Sequence, residues 1–239
     1  MSNLTDALFG MLSGTVGASR ILLHNCRFEG AGTSLYGAEA ILELFRTHPL
    51  RLEFLEAMQG ERTATIFAQD AQGPVALFAD LYAGHIARLW YLAPTPLPGD
   101  SHERIDVPFD PDFGYLVPSV AFEAADHPEL SAAHVTRIAA AAAHLFLAGE
   151  SAEPIRSRFA PEITHCRPHV LRAFSQGDAA AALMIVTAYR TSDQPGPVQF
   201  SAALRLGDDS FRDLLLVVDD GQCARELERS WRPSFVRNL

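Results

Sequence analysis

Hydrophobic and polar positions alternate through two stretches that both begin Gly-Pro-Val, at residues 73–92 and 196–217. In each stretch a glycine-containing turn interrupts the apolar pattern, which predicts a pair of strands joined as a hairpin. Gln59-Gly60-Glu61 and Gln176-Gly177-Asp178 repeat upstream, as do His24-Asn25-Cys26-Arg27 and His165-Cys166-Arg167. Because these matches occur in the same order, the sequence predicts two structurally related domains.

The same patterns predict the remaining elements of both copies. The first copy is expected to hold helices at 4–12 and 38–47, a glycine-rich loop at 29–35, and strands at 20–28, 51–58, 63–69, 75–82 and 85–92. The second copy is expected to hold helices near 126–147, 153–159 and 222–231, and strands at 162–167, 169–175, 181–190, 198–206 and 211–218. The second copy has no counterpart of the 38–47 helix.

The strand predicted at 75–82 has two unlike faces. Leu77, Ala79 and Leu81 point to one side, whereas the residues that alternate with them are Phe78, Asp80 and Tyr82. A face that carries an aspartate between two aromatic residues is typical of a pocket or an interface.

The composition excludes several classes of function. All 19 basic residues are arginine, so the chain has no lysine for a Schiff base, a pyridoxal-phosphate anchor or a phosphate-binding loop. A net charge of −10 without a basic stripe disfavours nucleic-acid binding. The three cysteines lack the spacing of a disulfide framework or a zinc site, so neither metal nor cofactor is expected.

The length and hydropathy of the chain indicate where it resides and how it is organised. With 239 residues it can form two small domains. It has no apolar run of the ~20 residues needed to cross a bilayer and no signal-peptide pattern, which predicts a cytoplasmic protein that does not bind membranes.

Three segments of the first copy carry a resemblance to a known superfamily. They are His-Asn-Cys-Arg-Phe at 24–28, Tyr-Gly-Ala-Glu-Ala-Ile-Leu-Glu-Leu-Phe at 36–45, and Tyr-Ala-Gly-His-Ile-Ala-Arg-Leu at 82–89. With the order of elements, they resemble the nuclear transport factor 2-like superfamily, which includes SnoaL-like polyketide cyclases and ketosteroid isomerases. The resemblance covers nearly all of residues 1–92 and, through the repeat, the framework of about 131–218.

The resemblance implies an α+β fold with two tandem cystatin-like cone domains, each a curved antiparallel sheet wrapped around helices. The expected boundaries are 1–92 for the first domain, 93–125 for a linker, and 126–239 for a second domain that has lost one helix and gained a tail. Because cones of this superfamily often pair through their sheets, the two copies are expected to form an intramolecular pseudo-dimer and the chain to be a monomer.

The N-terminal cone is expected to leave an apolar cavity that takes a small apolar or polyketide-like ligand. His24 lies where the superfamily often places a catalytic group, and its imidazole could abstract a proton. Asp80 in an apolar cone could act as an acid or a base. The cavity wall is predicted to consist of Phe28, Tyr36, Phe78, Tyr82 and Trp90.

Structural explanations stay open for both candidates. His24 could bond a loop carbonyl, and Asp80 could form a salt bridge with Arg88 across the hairpin. The residue that aligns with Asp80 in the second copy is Ala203, so the second cone has not kept this carboxylate.

Three functions are therefore consistent with the sequence. The first is a small-molecule-binding protein with an apolar cavity in the N-terminal cone. The alternative is a cofactor-free isomerase or cyclase that uses His24 and Asp80. The second alternative is a non-catalytic structural pseudo-dimer or interaction scaffold.

Overall fold

The computed structural model describes residues 3–14, 20–94, 97, 127–146, 163–190, 198–207 and 213–219. The predicted α+β class is confirmed, because these residues form three helices and two sheets. The N-terminal half comprises α1 (Asn3–Leu12), β1 (Leu22–Gly30), β2 (Thr33–Tyr36), α2 (Ala38–Thr47), β3 (Glu53–Gln59), β4 (Thr63–Gln69), β5 (Pro74–Tyr82) and β6 (His85–Leu92). The C-terminal half comprises α3 (Ala132–Phe146), β7 (Ile163–Gln176), β8 (Ala179–Arg190), β9 (Val198–Leu206) and β10 (Leu214–Val218).

The six strands of the N-terminal half form one sheet, sheet A, in the order β2-β1-β6-β5-β4-β3. β1 runs parallel to β6, and the other neighbours are antiparallel. The parallel pair requires glycine at position 30, because a Cβ there would lie 1.8 Å from the carbonyl oxygen of Tyr91. Ala83 and Gly84 join β5 to β6 with φ angles of 50° and 78°, as a two-residue turn with positive φ at both positions demands.

Alternate residues of sheet A enter two different cores. Val75, Leu77 and Ala79 of β5 pack with residues of α1 and α2 in a cluster that we call the helix-side core. Ala76 and Phe78 point the other way and join the inter-sheet core. The two faces predicted for this strand are therefore observed.

Sheet B, of the C-terminal half, covers the second face of sheet A. Its strand order is β10-β9-β8-β7, antiparallel throughout. Leu183 and Ala203 enter the inter-sheet core with Phe78, whereas Met184 and Leu204 pack with α3 on the far side. The layers therefore follow one another as α1 with α2, sheet A, sheet B and α3.

The prediction of separate strands at 162–167 and 169–175 is wrong, because β7 is one strand that continues through Pro168. In the described part of sheet B, β7 has a neighbour on one side only. An edge strand tolerates proline because half of its backbone needs no partner in the sheet. The predicted loop at 29–35 is likewise too long, since it holds the end of β1 and the start of β2.

Several predictions fall on parts of the chain that the structure does not describe. They are the helices at 153–159 and 222–231 and most of the linker at 93–125. The two Gly-Pro-Val segments do supply paired strands, β5 with β6 and β9 with β10. The common origin of the two halves and the exact domain boundaries stay predictions.

Candidate functional site between the two sheets

Hydrogen bonds tie the N-terminal half to the C-terminal half. An oxygen of the Glu129 carboxylate accepts the backbone N–H of Arg62 at 2.7 Å across the junction. Within the C-terminal half, the backbone carbonyl of Glu129 accepts the N–H of Ser175 at 3.2 Å, which fixes Glu129 against β7. A Cβ at position 60 would lie 2.8 Å from both Glu129 carboxylate oxygens, so a residue larger than Gly60 would displace this side chain. Elsewhere at the junction, the buried N–H of Ala31 donates to Asp219 Oδ2 at 2.8 Å.

A cleft of about 280 Å³ opens beside the Glu129 contact. Both halves line it, with Arg62, Thr63, Asp80, Leu81, His127, Pro128, Glu129, Arg172 and Ala173. The pairing of β5 with β6 shifts register between Asp80 and Leu81, so an irregularity of the sheet lies in the cleft wall. Such irregularities turn side chains away from the regular alternation and are frequent next to functional sites.

Asp80 and Arg172 form the charged wall of the cleft. Arg172 donates from Nε to Asp80 Oδ1 at 2.7 Å and from Nη2 to Oδ2 at 2.8 Å, which is the two-point geometry typical of strong arginine–carboxylate pairs. The hydrogen bonds to Asp80 raise the pKa of Arg172 above its ordinary value, against the opposing effect of burial. Both oxygens of Asp80 are thus engaged by a permanently charged partner.

The partner predicted for Asp80 was wrong. Asp80 and Arg88 are directly opposite each other in the pairing of β5 with β6. The guanidinium of Arg88 nevertheless donates from Nη2 to Glu29 Oε1 on β1. Arg172 from the C-terminal half takes the place that Arg88 was expected to fill.

A compact group of charged residues surrounds Trp90, and we call Glu29, Asp80, Arg88, Trp90 and Arg172 the Trp90 cluster. The Cζ atoms of Arg88 and Arg172 lie 4.6 and 5.4 Å from the centroid of the Trp90 ring, within the range of cation–π attraction. Trp90 is 2% exposed. Its Nε1, together with Arg88 Nε and Glu29 Oε2, is buried without a hydrogen-bond partner.

The structure does not bring the two predicted catalytic residues together in one cavity. His24 is exposed on β1 and lies outside the cleft, whereas Asp80 lines the cleft. The interval between Leu22 and Arg27 is a register shift in the pairing of β1 with β6, so His24 lies in an irregular part of its strand. The geometry expected for paired acid–base work is therefore absent from these two positions.

The five predicted wall residues also separate. Phe28 is fully buried in the helix-side core, 5.5 Å from the Phe45 ring. Phe78 and Trp90 belong to the inter-sheet core, because they alternate with the helix-side residues of their strands. Tyr36 and Tyr82 are 64% and 71% exposed, so neither walls a buried cavity.

Two partners in the cleft were not identified as site residues from the sequence. The sequence placed Arg172 only in the strand predicted at 169–175 and Glu129 only in the helix predicted near 126–147. Each meets a residue more than sixty positions away, Arg172 at a separation of 92 and Glu129 at 67. Local patterning carries no signal for contacts at this distance along the chain.

Other chemistry is limited in the part of the chain that the structure describes. No group of three or more His, Cys, Asp or Glu residues in those segments could hold a metal ion. Burial raises the pKa of the Cys26 thiol to about 12, so this group is a protonated core residue and not a nucleophile near neutral pH. Among the described helices none has the length and apolar character to span a bilayer.

Comparisons with known proteins concern the architecture of part of the chain. No family model and no curated protein matches the sequence. The solved structures that match include a protein with a ketosteroid isomerase-like fold from Catenulispora acidiphila, at 12% identity and a TM-score of 0.32, covering 39% of this chain and 86% of that one. An NTF2-like protein of unknown function from Cytophaga hutchinsonii matches at 13% identity and a TM-score of 0.32, covering 38% and 89%.

A de novo designed protein with a curved β-sheet also matches, at 15% identity and a TM-score of 0.33, covering 47% of this chain and 91% of that one. The natural proteins among these matches have the names of the superfamily that the sequence resembles. Because each match covers less than half of this chain at low identity, none assigns it a ligand or an activity.

Proposed function

We propose that this chain is a small-molecule-binding protein whose ligand occupies the cleft between its two halves. The observation that carries this proposal is the cleft of about 280 Å³, to which both halves contribute walls. Apolar surface from Leu81, Pro128 and Ala173 lies there beside the Asp80–Arg172 pair. Apolar walls with a few oriented polar groups are typical of ligand sites.

The size and lining of the cleft narrow the class of ligand. A volume of this size is close to the lower end of the roughly 300–1,000 Å³ found for small-molecule pockets, which favours one or two rings. The apolar ligand expected from the sequence is therefore revised to a small molecule with an apolar body and a polar edge. The site is also moved, from the interior of the N-terminal cone to the junction of the halves.

A titration followed by nuclear magnetic resonance tests the site directly. Small aromatic probes such as phenol, toluene and benzoate are added to the ¹⁵N-labelled chain. We expect the backbone signals of Arg62, Leu81 and Ala173 to shift together with one affinity. Shifts confined to residues around Phe28 would return the ligand to the cone interior, and the absence of any saturable shift would overturn the proposal.

Blocking variants provide the control. Arg62 is an exposed residue at the cleft, so Arg62→Trp places a large ring there without disturbing the core. Arg46→Trp makes the same change on the exposed face of α2, away from the cleft. We expect the first variant to abolish the shifts and the second to leave them unchanged.

A non-catalytic scaffold is the second candidate, and the inter-sheet core supports it. Residues of both sheets share this core, so the C-terminal half covers a face of sheet A that a second subunit could otherwise cover. On this view the chain is a monomer, and light scattering should give a mass near 26.1 kDa. A stable dimer that buries well above ~2,000 Å² would contradict this expectation.

The placement of His24 and Asp80 gives the catalytic alternative no support, since His24 is exposed and Asp80 is held by Arg172. We expect no turnover of a panel of enolisable ketones. Turnover that falls in both His24→Ala and Asp80→Asn, with the fold intact, would restore this alternative.

A further inference from the structure

Three neighbouring polar atoms at the edge of the inter-sheet core are buried without partners. They are Trp90 Nε1, Arg88 Nε and Glu29 Oε2. The large majority of buried side-chain polar atoms in proteins have a hydrogen-bond partner. Three exceptions in adjoining side chains therefore call for a hydrogen-bond partner that the described side chains do not supply.

The three side chains that carry these atoms form one small patch. Glu29 and Trp90 occupy directly paired positions of β1 and β6. Arg88 touches both, because its Nη2 donates to Glu29 and its Cζ lies 4.6 Å from the centre of the Trp90 ring. The patch adjoins the cleft through Arg172, which lines the cleft and also lies over Trp90 at 5.4 Å.

The two arginine–carboxylate pairs of the Trp90 cluster differ in one respect. Arg172 uses both Nε and Nη2 on the two oxygens of Asp80. Arg88 uses Nη2 on one oxygen of Glu29 and keeps its Nε–H unpaired, as Glu29 keeps its second oxygen. The second pair therefore retains one donor and one acceptor for a ligand, and Trp90 adds a second donor.

The chemistry of this set selects the ligand group. Two N–H donors and one carboxylate oxygen are matched by a hydroxyl, which accepts two hydrogen bonds and donates one. A ligand carboxylate would meet the negative charge of Glu29, and an ammonium group would leave both N–H donors unpaired. A carbonyl or ether oxygen would satisfy the donors but leave the Glu29 oxygen without a partner.

We propose that Glu29, Arg88 and Trp90 form a subsite for the hydroxyl group of a neutral ligand held in the cleft. This inference deepens the proposed function and depends on it. The ligand class is a small alcohol or phenol whose apolar body lies in the cleft. A bound water has the same hydrogen-bonding chemistry, and the experiment distinguishes the two sources.

The indole N–H of Trp90 is itself the reporter. The chain has two tryptophans, so Trp231→Phe leaves a single indole signal in the ¹⁵N spectrum. The probes are phenol, anisole and toluene at pH 7, where phenol is neutral because the pKa of a phenol is about 10. Anisole keeps the acceptor oxygen of phenol but cannot donate, and toluene lacks the oxygen.

We expect phenol to move the Trp90 indole signal downfield with saturation, and anisole and toluene to bind at least tenfold more weakly. Equal affinities for the three probes at the cleft would overturn the hydroxyl subsite while leaving the proposed function standing. Cleft backbone signals that shift while the indole signal stays fixed would do the same, because they would indicate that a resident water alone pairs with Trp90. No shift with any probe would overturn both proposals.

A pair of matched variants tests the acceptor. Glu29→Gln removes the charge of the subsite, whereas Glu43→Gln removes the charge of an exposed pair with Arg46 on α2. We expect Glu29→Gln to weaken phenol binding about tenfold and to leave anisole unchanged, because it removes a bond to a charged acceptor. Equal phenol affinity in the two variants would contradict the role of Glu29. If the Glu29→Gln variant unfolds, the comparison of phenol, anisole and toluene on the chain that keeps Glu29 still decides the proposal.

Discussion

The two faces of sheet A carry different kinds of residue at the same strands. The face toward α1 and α2 is packed with apolar side chains and paired rings, such as Phe28 with Phe45 at 5.5 Å and Phe9 with Phe54 at 6.0 Å. The face toward sheet B is apolar at Phe78 but charged at Asp80 and Arg88. The second half therefore both completes a core and creates the cleft at the margin of that core.

This contrast explains why the candidate residues do not line a cavity on the helix side of sheet A. Large rings such as Phe28 and Phe45 fill the helix side, so a ligand there would compete with the protein's own core. The inter-sheet side combines apolar residues with a few charged groups, a combination typical of ligand sites.

Substitution of Phe28 tests how tightly the helix side of sheet A is packed. Phe28→Ala should lower the free energy of unfolding by about 3–5 kcal/mol, because a fully buried phenylalanine leaves a cavity. Phe78→Ala on the other face should cost a similar amount, since Phe78 is also fully buried and meets Phe67 at 6.2 Å. Urea denaturation measures both.

The two substitutions also distinguish the two faces of sheet A by their effect on ligand binding. Phe28→Ala should leave the phenol titration at Trp90 unchanged, whereas Phe78→Ala should alter it. A loss of less than ~1 kcal/mol for Phe28→Ala would indicate that the helix side is loosely packed, and the contrast between the faces would then fail.

The next effect is a loss of stability at alkaline pH. Burial raises the pKa of Cys26 from its ordinary value of 9.0 to about 12, and burial also raises the pKa of Tyr91. Between pH 9 and 12 the unfolded chain loses the thiol proton while the folded chain keeps it, so stability falls as the pH rises. Cys26 alone should account for about 1 kcal/mol at pH 10.

Urea midpoints measured from pH 8 to pH 10.5 check this expectation. The absence of lysine keeps other side-chain amines out of the titration. Cys26→Ala should flatten the decline by the amount attributed to the thiol, and Tyr91→Phe should flatten it further at the upper end. An unchanged slope in Cys26→Ala would show that the thiol is accessible to water.

The smallest effect concerns the charged wall of the cleft. Asp80→Asn should lower the free energy of unfolding by about 1 kcal/mol, because it weakens a charged two-point pair that is partly open to solvent. Glu43→Gln breaks an exposed pair on α2 and should cause no measurable change. Equal midpoints for the two variants would mean that the Asp80–Arg172 pair does not hold the halves together.

Much of the fold could be predicted because local patterns determine it. The helix at 38–47 and the strands at 63–69 and 85–92 were predicted at the bounds that the structure gives. The apolar periodicity and the glycine-containing turn at 83–84 are contained in short windows of sequence, and so is Pro49, which follows the helix. Pro168 led to the wrong prediction of two strands where β7 is one. An edge strand tolerates proline, but whether a strand lies at an edge depends on the order of strands in the sheet, which a short stretch of sequence does not reveal.

The candidate site could be predicted only in part. The mixed face of β5 identified Asp80, Phe78 and Tyr82 as unusual, and two of the three lie at the junction. Which cavity they face depends on how sheet B docks, and therefore on contacts such as Arg172 with Asp80 at a separation of 92 residues. His24 was chosen because it lies where the superfamily often places a catalytic group. The register shift of β1 around His24 could not be predicted from the residues next to it in the sequence.

The hydrogen bond from Ala31 to Asp219 joins residues 188 positions apart, and this separation has a consequence for synthesis on the ribosome. The strands of sheet A are complete once Leu92 has emerged, but the inter-sheet core needs Leu183, Ala203 and Val217. At a synthesis rate of ~5–20 residues per second, the face that bears Phe78 and Trp90 stays uncovered for roughly 6–25 s before sheet B is synthesised. During that interval the nascent chain presents an apolar sheet surface to chaperones and to other nascent chains, so a pause in translation within the second half would favour aggregation.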